Sequence, residues 1–351
     1  MRDAPEKTRH SLEMALAARA LARAAPDSHY KRVLARYVFV HLDDVIRFGS
    51  AWRNEVRGRS EPAFRAAQPA LERLRGDWEG RFADVRDYIG AKRQPRSSDV
   101  AADELESFRL WADIGELSVD TLLDDAVELY SQLAAVSGLS ELDYDPIAPD
   151  GATEAIQALR PLGEEGFLEM TATSFGAGRG PSVRVRMGGE IGRVIPLIND
   201  VAEALVTLQT LWSAVQGFAI FERLVRGQLP SELNELLRLS VGPYPSAVSQ
   251  PKSLLALYEE PGMPRAPRDQ LRGLRDSITP SARADLLEWR NKVGAHTDAE
   301  LAWQEIDESI DRLDVAPVLV LVDRVLLWLD CAACSVQGPL PLLLPERDLR
   351  S

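Results

Sequence analysis

Tyr30 to Val56, YKRVLARYVFVHLDDVIRFGSAWRNEV, sets the fold class. Tyr37, Val38, Leu42, Val45, Ile46 and Trp52 recur at spacings of three and four, the period that gathers side chains on one side of an α-helix. No proline interrupts the run. So long a helix with so broad an apolar face is stable only when that face is buried against other elements.

Working outward, the same periodicity covers most of the chain. Toward the N-terminus, Ser11 to Ala24 reads as an Ala-rich helix closed by Pro26. Toward the C-terminus, Pro62 to Ile89 carries one or two helices with Gly90 as a stop, and Asp103 to Leu133 another. That last one is breakable near Gly115, where Ser118 can cap its second piece. Ser140 to Gly151 is rich in Pro, Asp and Gly and marks a linker, after which Ala152 to Leu162 is a short helix. Two runs with strand character come next, Phe167 to Ser174 and Ser182 to Met187, separated by a glycine-rich loop, and read as a β-hairpin. Helices resume at Ile195 to Arg226, Ser231 to Leu239, a turn at Leu254 to Tyr258, and Arg268 to Ser277. They continue at Ser281 to Val293 with Thr279 or Ser281 as cap, Asp298 to Ile310, and Val315 to Val336. The leucines of the proline-broken C-terminal tail would pin it to the body. The expectation is a mainly α protein with two related helical-bundle units and a small β-hairpin insertion: residues 1–138, a linker and hairpin over 139–192, and a second unit over 193–351.

Composition sets limits on function. The 351 residues are 45% hydrophobic and 27% charged, enough apolar material for a large core and against global disorder. Forty-one Lys+Arg against 54 Asp+Glu leave a net charge of −13, which opposes sequence-blind coating of nucleic acid but permits a local basic pocket. The apolar run Val315 to Val322 is stopped by Asp323 and Arg324, so no membrane span is expected. Acids in the first turns, with Arg19 and Arg23 in the apolar part, are unlike a secretory signal, and the expected location is cytoplasmic. Cys331 and Cys334 form a C-x-x-C with no second pair and no nearby His, which reads as core packing before redox or zinc chemistry.

One internal echo stands out. Arg86-Asp87-Tyr88-Ile89-Gly90-Ala91-Lys92 recurs as Arg290-Asn291-Lys292-Val293-Gly294-Ala295-His296, each after an amphipathic helix and each before an acid-rich segment with a tryptophan, Trp111 or Trp303. On an unbroken helix Arg290 and His296 would face different sides. A helix ending at Gly294 lets the chain return, bringing the imidazole toward the arginine. A permanent cation beside a group titrating near pH ~6.5 suits metal-free cleavage of an RNA backbone. The duller reading is that Arg290 pairs with Glu288, Asp285 or Asp298 and His296 caps its own helix.

Arg290-Asn291-x(4)-His296, at the end of one helix of a helical unit, resembles the Arg-x(4–6)-His motif of the HEPN superfamily. The likeness covers Ile195 to Val336 and, more loosely, Tyr30 to Val136. It implies an all-α, metal-independent endoribonuclease or toxin-type effector of bacterial defence, with Arg290, Asn291 and His296 catalytic and no cofactor or metal. In such proteins the active site forms where two motif-bearing units face each other, which implies a homodimer or an intramolecular pseudo-dimer, RNA as substrate and an antitoxin or other protein as partner. The N-terminal copy departs from the pattern: Lys92 stands in place of the histidine, leaving Arg86 and Lys92 as phosphate contacts. A catalytically inactive scaffold serving as an interaction or regulatory module is the competing reading.

Other motifs carry less. His41, Asp43 and Asp44 offer too few metal ligands on one face and read as a solvated helix edge. Gly176 to Gly180 lies between expected strands and does not open a helix, so it reads as a hairpin loop, with Arg179, Arg184 and Arg186 at a solvated edge.

Overall fold

A computed structural model of the chain describes residues 3–26, 28–79, 119–140, 142, 149–157, 159, 190–242, 252–294, 298 and 300–334. The described elements are helices α1 (Ala4–Ala24), α2 (Ser28–Arg57), α3 (Glu61–Asp77), α4 (Val119–Ser137), α5 (Pro149–Ile156) and α6 (Glu190–Ala214). They continue with α7 (Ala219–Ser240), α8 (Leu254–Tyr258), α9 (Arg265–Ser277), α10 (Pro280–Trp289), a π-helical turn (Arg290–Gly294), α11 (Trp303–Arg312) and α12 (Val315–Cys334). The protein is therefore mainly α, with no strand among the described residues. The expected hairpin, Phe167 to Met187, lies outside them.

Two groups of helices share one core. In the first, α1 lies along α2, and α3 and α4 pack on each other and on α2. The apolar face expected of α2 is real: Tyr37, Val38, Leu42, Val45 and Trp52 are buried. Arg19 and Arg23 of α1 both grip Asp120 of α4, and the Arg19 hydrogen bond leads the effects that hold that carboxyl below its usual range. In the second group α6 and α7 form a helical hairpin, and α7 is the hub, touched by α1, α10, α11 and α12. Most buried apolar residues of both groups belong to one connected cluster running from Ala4 to Ala332, while Val293, Ile306 and Ile310 form a small second one.

Several boundaries differ from the sequence reading, each for a local reason. Helix α1 begins at Ala4, seven residues before Ser11, with Pro5 in its first turn. The chain breaks between α6 and α7 at Gly217, whose φ of +90° suits glycine, and not between Arg226 and Ser231. Pro230 sits inside α7, where packing on all sides carries the helix past one missing backbone bond. The polar edge assigned to His41 and Asp44 is also corrected, since the two side chains are only 4% and 1% exposed. Cys331 is exposed and not in the core. Trp328 of α12 lies against Gly273 of α9, where a Cβ would stand 2.3 Å from the indole, so these two helices meet only because residue 273 has no side chain.

Candidate functional site

The element carrying Arg290 is built as its sequence suggests. Thr279 Oγ1 accepts the backbone N–H of Ala282 at 3.2 Å, Pro280 occupies the first turn, and α10 runs to Trp289. The last turn then widens into a π turn over Arg290–Gly294, a geometry that recurs at functional positions. Two side chains dock this turn onto α7. Trp289 Nε1 donates to the Gly227 carbonyl at 3.2 Å, and buried Val293 closes to 3.7 Å of where a Gly227 Cβ would be. With Trp289 and Val293 turned inward, Arg290 is half-buried and Asn291 exposed.

The guanidinium of Arg290 donates from Nη1 to Asn291 Oδ1 at 3.2 Å and forms no ion pair among the described residues. The partners that a structural role would supply are not used. Glu288 is held by Lys292, and Asp298 turns its carboxylate back on its own segment, accepting the N–H groups of Glu300 at 2.7 Å and Leu301 at 3.4 Å. Arg290 and Asn291 are thus brought together. His296, Arg86 and Lys92 lie outside the described residues.

The chain returns to the tip after the π turn. The N–H of Asp298 donates to the Lys292 carbonyl at 3.0 Å. The first turns of α1 then secure Asp298, Leu301 and Trp303. Buried Lys7 donates through Nζ to the carbonyls of Asp298 and Leu301, the second at 2.8 Å, with its ammonium 5.5 Å from the Phe48 ring. Burial holds this lysine below its usual range, against the pull of Asp298 and Asp3. Asp3, in the left-handed region at φ 51°, accepts the Trp303 N–H at 2.7 Å and so caps α11 from the far end of the chain. The His10 ring lies 4.9 Å from Trp303 and 6.5 Å from His41, and Arg223 Nε approaches its Nδ1 at 3.4 Å. Burial, with the Arg223 and His41 charges adding to it, keeps His10 well below the usual imidazole range and therefore neutral.

Lys7, Asp3 and Trp289 were not singled out by sequence reasoning. The partners of Lys7 are 291 and 294 residues away, and no local pattern announces them. Among the described residues no three His, Cys, Asp or Glu side chains converge as a metal site, and no helix is long and apolar enough to cross a membrane. Compared with family models, with curated proteins and with solved structures, the chain matches none.

Proposed function

We propose that the tip around Arg290 is the centre of a HEPN-like, metal-independent endoribonuclease acting as a toxin-type effector. The observation that carries this reading is an arginine at a π-helical tip whose only hydrogen-bond partner among the described residues is Asn291, while the neighbouring carboxylates are engaged elsewhere. A guanidinium left without a carboxylate on a chain of charge −13 suits an oxyanion ligand. In the reaction the substrate 2′-hydroxyl attacks phosphorus as His296 takes its proton. Arg290 holds charge on the phosphorane, the bond to the 5′-oxygen breaks, and that oxygen receives the proton back from His296. The products are a 2′,3′-cyclic phosphate and a 5′-hydroxyl. Asn291 orients the guanidinium, and Arg86 and Lys92 supply further phosphate contacts from a facing unit, either within the chain or in a homodimer. The test compares wild type with His296→Ala for growth arrest and for 2′,3′-cyclic phosphate ends on total RNA. Arrest and cyclic ends in wild type alone are expected; equal behaviour without cleavage ends the nuclease reading.

One observation favours the second reading, a catalytically inactive interaction or regulatory module. On α12, Ala316, Val320, Leu327 and Cys331 fall on one exposed face, with Val320 and Leu327 60% and 58% exposed. Growth arrest that survives His296→Ala but is lost in Val320→Glu/Leu327→Glu would select it.

A further inference from the structure

Where α2 turns into α3, two guanidiniums lie against one aromatic ring with a third close enough to act on them, and among the described residues no carboxylate is bonded to any of the three. Arg53 Cζ stands 3.9 Å and Arg57 Cζ 5.0 Å from the Phe64 ring centroid. Arg53 Nε donates to the Phe64 carbonyl at 3.4 Å, and Arg75 Nη2 donates to Ser50 Oγ at 2.8 Å. All of these fixing groups are uncharged. On α3 and α4, Glu61 is taken by Arg65, Glu72 by the Gln68 amide, and Asp125 and Glu128 by Arg73. The like charges are close enough to act on one another, since partial burial and the charge of Arg75, then that of Arg57, hold Arg53 below its usual range against the pull of Glu72. Holding three cations this close without an anion costs stability, and that cost is recovered when an anion binds.

The layout narrows the ligand. Ser50, which anchors Arg75, and Arg57 are seven residues apart on α2, about 10 Å along its axis. That is further than one phosphate spans and suits a chain of them. Guanidiniums present a planar fork to phosphate oxygens and a flat face for stacking, and Phe64, half-buried, adds a ring at the centre. The exposed large apolar side chains, Val136, Leu287, Val320 and Leu327, are on other elements, so the patch lacks what a membrane surface would engage. The geometry points to Arg53 and Arg57 on the Phe64 ring, with Arg75 anchored on Ser50, as a binding site for the phosphodiester backbone of a single-stranded nucleic acid. This site stands apart from Arg290 and does not depend on the nuclease reading.

The test measures fluorescence anisotropy of a labelled oligodeoxythymidylate with the full chain over a range of salt. This probe has no 2′-hydroxyl, so failure of the nuclease reading leaves its binding unchanged. Wild type should bind with an affinity that falls as salt rises. Arg57→Gln/Arg75→Gln, at exposed positions, should weaken binding about tenfold or more and make the log–log salt slope shallower by about 0.7 for each arginine removed. Arg65→Gln, whose side chain is already paired with Glu61, should stay within about twofold of wild type. Four results would overturn the assignment: no binding by wild type, equal binding by wild type and the double variant, an equal loss in Arg65→Gln, or binding to phosphatidylserine vesicles in place of the oligonucleotide.

Discussion

Arg36 and Arg53 stand on the same helix, one in the first third of α2 and the other near its end. Arg36 is 2% exposed and donates to Glu232 of α7 at 3.0 Å, with the Tyr37 hydroxyl donating to the same carboxylate at 3.2 Å. Burial works against its charge, but Glu232, then Tyr37 and Asp200, more than offset this and hold the guanidinium above its usual range. Arg53 has a ring face and a carbonyl as partners, two like charges nearby, and is held below that range. A matched charge inside the protein joins two helices. An unmatched cluster at the surface is held by uncharged groups alone, which leaves its charge for a ligand.

That contrast can be broken at either end. The largest effect is expected from Glu232→Ala, which leaves Arg36 buried without its carboxylate. It should cost about 3–5 kcal/mol in denaturant unfolding, whereas Arg36→Met/Glu232→Leu should return close to wild type. Lys7→Met comes next. It leaves the Asp298 and Leu301 carbonyls without their donor, and a loss of about 1–3 kcal/mol is expected from the same measurement.

A smaller, pH-dependent effect arises from His10. Its native pKa lies below the unfolded value of about 6.5, so the unfolded chain takes up a proton there that the native protein refuses. Stability is full above that pH and falls as pH drops below it, by up to about 1.4 kcal/mol per unit, until the depressed native pKa is reached. His10→Gln should flatten this part of a Tm-versus-pH profile. The smallest effect belongs to Arg75→Gln: a Tm shift equivalent to less than about 0.5 kcal/mol, or a slight gain from relief of like-charge repulsion. A large loss there would show that the cluster is structural after all.

Much of the fold was legible because burial of a helical face leaves a period in the sequence. Helix α8 runs from Leu254 to Tyr258 as read, α9 ends at Ser277, Thr279 caps α10, and α12 starts at Val315. Two of the misreadings share a cause. The start of α1 was hidden because Lys7, Thr8 and His10 break the apolar pattern although all three are buried. His41 and Asp44 resembled a solvated edge for the same reason, because their burial depends on partners from distant helices; His41, for instance, meets Gln228 of α7 at 3.2 Å. The tip was partly legible. Arg290, Asn291 and the helix end at Gly294 emerged from local pattern, whereas the docking of Trp289 on Gly227 did not.

Sequence alone was enough to make this a mainly α protein and to mark Arg290 as a cation at a helix end, because helical period, caps and glycine stops act over a few residues. Which charges are neutralised was decided only by the tertiary structure. Arg36 and Arg53 look alike along α2, and the distinction arises because α7 brings Glu232 to one while α3 brings Phe64 to the other. Electrostatic matching depends on distances between elements, and a linear pattern does not record them.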